Sequence, residues 1–172
     1  MHENPAVLNN NAILLSKAGK FDEAVACFKR ALLMDNNNSL FWYNLGMTYR
    51  DAGRTEDAIN ALETSFKINP NHMDVILSLA TILFQEENYL ESLMYCSLGI
   101  DVCHTDSNLW NLLGVNHFAL EEFELASIDF ENSLMFNPYN ADALFNLRDT
   151  YDELGNKTGA HECDRRLKEI EK

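Results

Sequence analysis

The sequence predicts an all-α chain of stacked helical hairpins, and three observations carry that expectation. The 172 residues repeat with a period of 34. Within each period the apolar residues recur at helical spacing and do not alternate. Three prolines and seven glycines are too few for a chain of short strands and tight turns. Hydrophobic residues make up 47% and charged residues 23%, which supports a packed core and argues against disorder.

The period is visible in Trp42-Tyr43-Asn44-Leu45-Gly46 and Trp110-Asn111-Leu112-Leu113-Gly114, whose tryptophans lie 68 residues apart, as do Pro70 and Pro138. Frames at 5–38, 39–72, 73–106, 107–140 and 141–172 then cover one domain, 5–172, without an insertion. A large-residue column runs Leu8, Trp42, Ile76, Trp110, Leu144, and a small-residue column runs Ala12, Gly46, Ala80, Gly114 before breaking at Arg148. A second large column holds Leu15, Tyr49, Leu83, His117 and Tyr151. Later in the frame come Ala24, Ala58, Ser92, Ala126, Ala160, and then Phe28, Leu62, Cys96, Phe130, Asp164.

Each frame therefore reads as two helices. In the second frame Trp42, Leu45 and Tyr49 share one face, Gly53 interrupts, and Ala58, Leu62 and Phe66 begin a second stripe. Ser39 and Thr55 with Asp57 are the expected N-caps there. The expected helices are 5–18, 21–34, 39–52, 55–68, 73–86, 89–102, 107–120, 123–136, 141–154 and 157–170. The small columns let the two helices of one hairpin approach closely, and one hairpin cannot bury both stripes alone, so the units must stack. Asn11 in place of a core leucine and the polar run Asp164-Arg165-Arg166 fit the exposed ends of such a stack.

These residues resemble the tetratricopeptide repeat family. Its signature is matched by Trp42, Leu45, Gly46, Tyr49, Ala58, Leu62 and Pro70, and again by Trp110, Leu113, Gly114, His117, Ala126, Phe130 and Pro138. The resemblance implies a right-handed superhelical α-solenoid of five such hairpins, about ten helices, with a concave face formed mostly by the first helix of each pair.

The formal net charge is −14, which excludes nucleic acid and anionic membrane surfaces as partners. From Ile68 to Leu147 there is no Lys or Arg, against twelve Asp and Glu. The acidity reads as solubility or as a demand for a basic partner. No apolar run reaches the ~18 residues of a membrane span. No secretory signal is visible at Met1-His2-Glu3-Asn4-Pro5, and Cys27, Cys96, Cys103 and Cys163 form no C-x-x-C pair, so a cytoplasmic chain with free thiols is expected.

No catalytic motif is present, and a non-enzymatic chain without cofactor or metal is expected. His161-Glu162-Cys163-Asp164 holds ligand-type residues, but consecutive helical positions point to different faces and cannot converge on one ion. His117 reads as a satisfied core histidine, and Glu121-Glu122-Phe123-Glu124 as a solvated acidic turn.

Function must then lie on a surface. If the family geometry holds, the concave groove carries Asn10, Tyr43, Asn44, Met47, Leu77, Phe84, Asn111, Val115, Phe118, Phe145 and Asn146. Its apolar part suits an adaptable peptide or helix surface, or else packs against neighbouring repeats. Asn10, Asn44 and Asn146 share a column, broken by Ser78 and Leu112, that is similar to the asparagine ladder of the O-linked N-acetylglucosamine transferase superhelix, where amides hold extended peptides. Family members that bind chaperone tails use Lys and Arg on these columns. Asn9, Ile13, Asn44, Asp74 and Ser78 stand there instead, which excludes a carboxylate ligand. The expected role is a scaffold or adaptor binding an amphipathic, basic-flanked peptide or helix of a partner protein. A dedicated chaperone for an apolar client, similar to those of type III secretion, and a regulatory module of a larger protein are the alternatives. Self-association through the groove also stays open.

Overall fold

The computed structural model describes residues 4–170. The start read for a secretory signal, positions 1–3, and the end of the fifth frame, 171 and 172, lie outside them. The described residues form ten helices and no strand: α1 Pro5–Lys17, α2 Phe21–Met34, α3 Ser39–Asp51, α4 Thr55–Ile68, α5 Met73–Gln85, α6 Tyr89–Val102, α7 Ser107–Ala119, α8 Phe123–Phe136, α9 Ala141–Glu153 and α10 Lys157–Ile170. Their contacts divide the chain into two compact units, Met1–Leu79 and Ala80–Lys172, with the division inside α5.

One closing device repeats in every hairpin. A backbone N–H reaches back five residues: Lys20 to Leu15, Arg54 to Tyr49, Asn88 to Leu83, Glu122 to His117 and Asn156 to Tyr151, all at 2.8–2.9 Å. This Schellman-type turn needs a left-handed residue just before the donor. Gly19, Gly53 and Gly155 supply it at φ 70–74°, whereas Glu87 and Glu121 adopt φ 60° and 61° in the third and fourth hairpins. The odd helices consequently end one residue before the expected position. Four of them have Asx N-caps: Asn4, Asn38, Asp106 and Asn140 each accept from a backbone N–H of the first turn, and before α5 His72 Nδ1 accepts from the Val75 N–H. Ser39 and Thr55 are thus first helical residues, not caps. Position 54 caps α4 without a side-chain bond, and the Arg54 guanidinium instead holds Asp57 at 2.6 Å.

The repeat columns become packing. Hydroxyls of Ser65 and Ser133 donate to the carbonyls of Ser39 and Ser107, both at 2.8 Å, tying the end of a second helix to the start of its partner. The Trp42 and Trp110 indole N–H groups donate to loop carbonyls of Asn36 and His104 at 2.9 and 2.7 Å. In the second unit Phe130, Leu134, Leu144, Leu147 and Cys163 form one apolar cluster. Ala160 and Cys163 are buried, so α10 keeps the register of the preceding second helices.

Small and large residues face one another inside the second and fourth hairpins. A Cβ built on Gly46 would stand 2.8 Å from Leu62, and one on Gly114 2.6 Å from Phe130. In the fifth hairpin the same two columns hold Arg148 and Asp164. These apparent departures are partners, with Nη1 and Oδ1 3.5 Å apart.

Among the described residues one buried side-chain atom is unsatisfied. Thr48 and Thr150 donate their hydroxyls to the carbonyls four residues earlier. Asn116 occupies the same column and donates Nδ2 to Leu112 at 2.7 Å, but its buried Oδ1 has no hydrogen-bond partner. Asn116→Thr keeps the donor and removes the orphan acceptor. It is expected to raise the unfolding free energy by about 1 kcal/mol, read as a higher urea midpoint at unchanged slope.

Candidate functional site

In the first unit the expected groove residues lie on α1, α3 and the start of α5. The Asn44 amide donates Nδ2 to Asn9 Oδ1 at 3.0 Å, and Asn9 in turn reaches Asn10 Oδ1 at 3.4 Å. Asn9 is buried and Asn10 exposed. The Tyr43 ring lies 5.4 Å from His72, and Met47 Sδ accepts from the Ser78 hydroxyl at 3.5 Å. Leu77 is half-buried.

The second unit repeats the motif on α7 and α9. Asn146 donates Nδ2 to Asn111 Oδ1 at 3.1 Å. Phe145 is exposed, and the Arg148 guanidinium stacks over its ring at 4.2 Å. Two aromatics are engaged at hairpin tips: Phe84 lies 5.6 Å from Tyr89, and Phe118 lies 5.2 Å from Phe123. Val115 and Phe118 also pack against the apolar cluster.

Besides sharing a column, the amides bond across columns. Each bond runs from one column to the next, 35 residues apart, joining one hairpin to its neighbour. Asn9 is the member that the ladder reading left out. Its signal was present, because Asn9 and Asn111 share a column and each has an asparagine 35 residues on. A cavity of about 630 Å³ in the first unit was also not foreseen; Leu32, Trp42, Leu45, Tyr49 and Ala61 line it, between α2, α3 and α4.

His117 is satisfied as expected, but its partner is a carboxylate: Nδ1 stands 2.6 Å from Asp129 Oδ2, and Nε2 3.8 Å from Glu122. Asp129 is 6% exposed. Burial pushes its carboxyl above the ordinary range, and the hydrogen bond from His117 pulls the other way. Burial likewise pushes the Cys96 thiol up to about 12, so it is inert at neutral pH. All four cysteines are unpaired. Among the described residues no three His, Cys, Asp or Glu side chains converge as a metal site, and no helix is long and apolar enough to cross a membrane.

Repeated 34-residue hairpins, each closed by the same turn and packed through the same columns, define a helical repeat protein. The chain belongs to the tetratricopeptide repeat family, whose model matches residues 9–71 and 43–97. It is 22% identical over 134 residues to the BBSome complex member bbs-4 of Caenorhabditis elegans, covering 78% of this chain and 29% of that protein. The chain thus spans less than a third of the curated relatives it matches. Among solved structures, MamA from Desulfovibrio magneticus RS-1 superposes with a TM-score of 0.90 at 18% identity, covering 99% of this chain and 97% of that one. YrrB, described as a TPR protein with an unusual peptide-binding site, gives 0.80 at 23% identity, covering 95% and 84%. These likenesses establish the shared fold.

Proposed function

We propose that the chain is a non-catalytic interaction module that binds a segment of a partner protein on the faces carrying Asn10, Tyr43, Asn44, Met47 and Leu77 in the first unit, and Phe84, Asn111, Val115, Phe118, Phe145 and Asn146 in the second. The observation that carries this reading is the pair of amide bonds, Asn44 to Asn9 and Asn146 to Asn111. Each joins the first helices of two neighbouring hairpins, α1 to α3 and α7 to α9, which supports reading their flanking columns as one surface within each unit. Half-exposed aromatic and amide side chains together suit a peptide, whose backbone needs donors and acceptors and whose side chains need apolar seats. YrrB, with its peptide-binding site, supports the class of ligand. The acidic balance favours basic flanks on that ligand, and the free thiols suit a reducing, cytoplasmic compartment.

The test is capture of partners by the wild-type chain and by Tyr43→Ala and Phe145→Ala variants of intact helicity, quantified by mass spectrometry. Partners lost with either variant are expected, and an unchanged set would overturn the assignment. Asn44→Ala is expected to lower unfolding stability by about 0.5–1.5 kcal/mol even without ligand, because its Nδ2 bond to buried Asn9 is lost. A further loss of peptide affinity, beyond that baseline, measures its role in recognition.

A further inference from the structure

The second helix of the third hairpin, α6, departs from its counterparts on its outward side. Leu90, Met94, Leu98 and Val102 recur every four residues and are 73, 50, 37 and 42% exposed. At roughly 100° per residue they wind over about 120° of the helix surface. The opposite arc, Ser92, Tyr95, Cys96 and Gly99, is buried. No other second helix is apolar at all four positions. The Leu90 column holds Asp22, Glu56 and Glu124 elsewhere, and the Leu98 column holds Arg30, Thr64 and Asn132. At Leu90 and Leu98 the packing of α6 does not require an apolar side chain, since the other second helices carry polar residues there; the Met94 column mixes Ala26, Asn60 and Ile128, and the Val102 column is apolar throughout.

The charge around the stripe selects what covers it. The unit Ala80–Lys172 carries 18 acidic and 6 basic residues, a formal −12, against 9 and 7, a formal −2, in Met1–Leu79. Exposed Glu91 and Asp101 lie on the same arc as the four apolar side chains, and exposed Glu86 and Glu87 stand in the turn just before α6. A second copy seated on this stripe would set those carboxylates against their own kind, and an anionic lipid surface is repelled in the same way. A cationic partner is attracted.

We propose that the outer face of α6 is a second docking surface, apart from the first-helix columns, for an amphipathic helix that presents one apolar stripe flanked by Lys and Arg. Leu90, Met94, Leu98 and Val102 take the apolar stripe, and Glu91 and Asp101 meet its cations.

The test uses the full chain and a labelled synthetic helix of about five turns, with leucines on one face and lysines on the rest. Its control has the same composition with the leucines scattered around the helix. Fluorescence anisotropy is expected to show binding of the first peptide and not of the control. Met94→Glu/Leu98→Glu is expected to weaken binding by about tenfold or more. Leu90→Glu, at the most exposed position of the stripe, provides the same reading should the double variant lose helicity by circular dichroism. Tyr43→Ala and Phe145→Ala are expected to leave the affinity unchanged, which separates this surface from the proposed groove. Equal binding of the control, or wild-type affinity in the α6 variants, would overturn the proposal. So would a wild-type dimer in sedimentation that the variants dissolve, or flotation with phosphatidylcholine vesicles that they abolish.

Discussion

Gly114→Val is expected to lower the unfolding free energy by about 2–3 kcal/mol. A Cβ at Gly114 would meet three atoms of the fully buried Phe130 ring at 2.6–2.9 Å, and a branched side chain adds two more carbons to the same space. The ring cannot retreat, because α8 packs on α9 through Leu134, Leu144 and Leu147. The second hairpin fills the same space with a smaller partner, Gly46 beside Leu62. Trimming the ring should therefore restore part of the loss. Phe130→Leu in the Gly114→Val background is expected to cost less than Phe130→Leu alone, and a double-mutant cycle by urea unfolding measures the coupling. Additive losses would mean that the two side chains do not share this space.

His117→Leu is expected to cost about 3 kcal/mol at neutral pH, because it strands the buried Asp129 carboxylate. Leucine fits the column, where Leu15 and Leu83 already stand, so the loss reports charge and not volume. The pH dependence has a definite sign. Burial raises the Asp129 pKa in the folded chain, so between the ordinary carboxylate range and that raised value the folded state holds a proton which the unfolded state has released. Stability falls as pH rises through that window. Without His117, which pulls the pKa down, the window widens upward. The variant is expected to match wild type most closely near pH 4 and to fall behind as pH approaches 7. Asp129→Asn removes the titration and is expected to recover most of the loss in the His117→Leu background. Urea midpoints measured across this range decide it.

The second helices of the hairpins were legible to the residue, while each expected first helix ran one residue too long. Ala18, Ala52, Glu86, Leu120 and Leu154 look like last-turn residues but precede the left-handed residue. Glycine announces that residue in three hairpins. Glu87 and Glu121 conceal it in two, where only the period located the turn. Arg148 and Asp164 looked like separate defects because the columns were read one at a time. Their 16-residue spacing is that of Gly46 and Leu62, so reading columns in pairs would have exposed the ion pair. The same applies to the amides. A column shows what recurs, whereas contacts between hairpins run diagonally from one column to its neighbour. Aromatic stacking at the hairpin tips had no sequence counterpart, because the distance between Phe118 and Phe123 depends on how tightly the turn folds back.

The tie from Asn44 to Asn9 links the first hairpin to the second while standing among the side chains proposed to meet a ligand. A peptide that competes for that amide hydrogen must slacken the joint it grips. Recognition there would exchange an internal bond for an external one, so the spacing of the hairpins would itself register occupancy. Two spin labels placed across the joint would see the occupied and empty forms as different lengths.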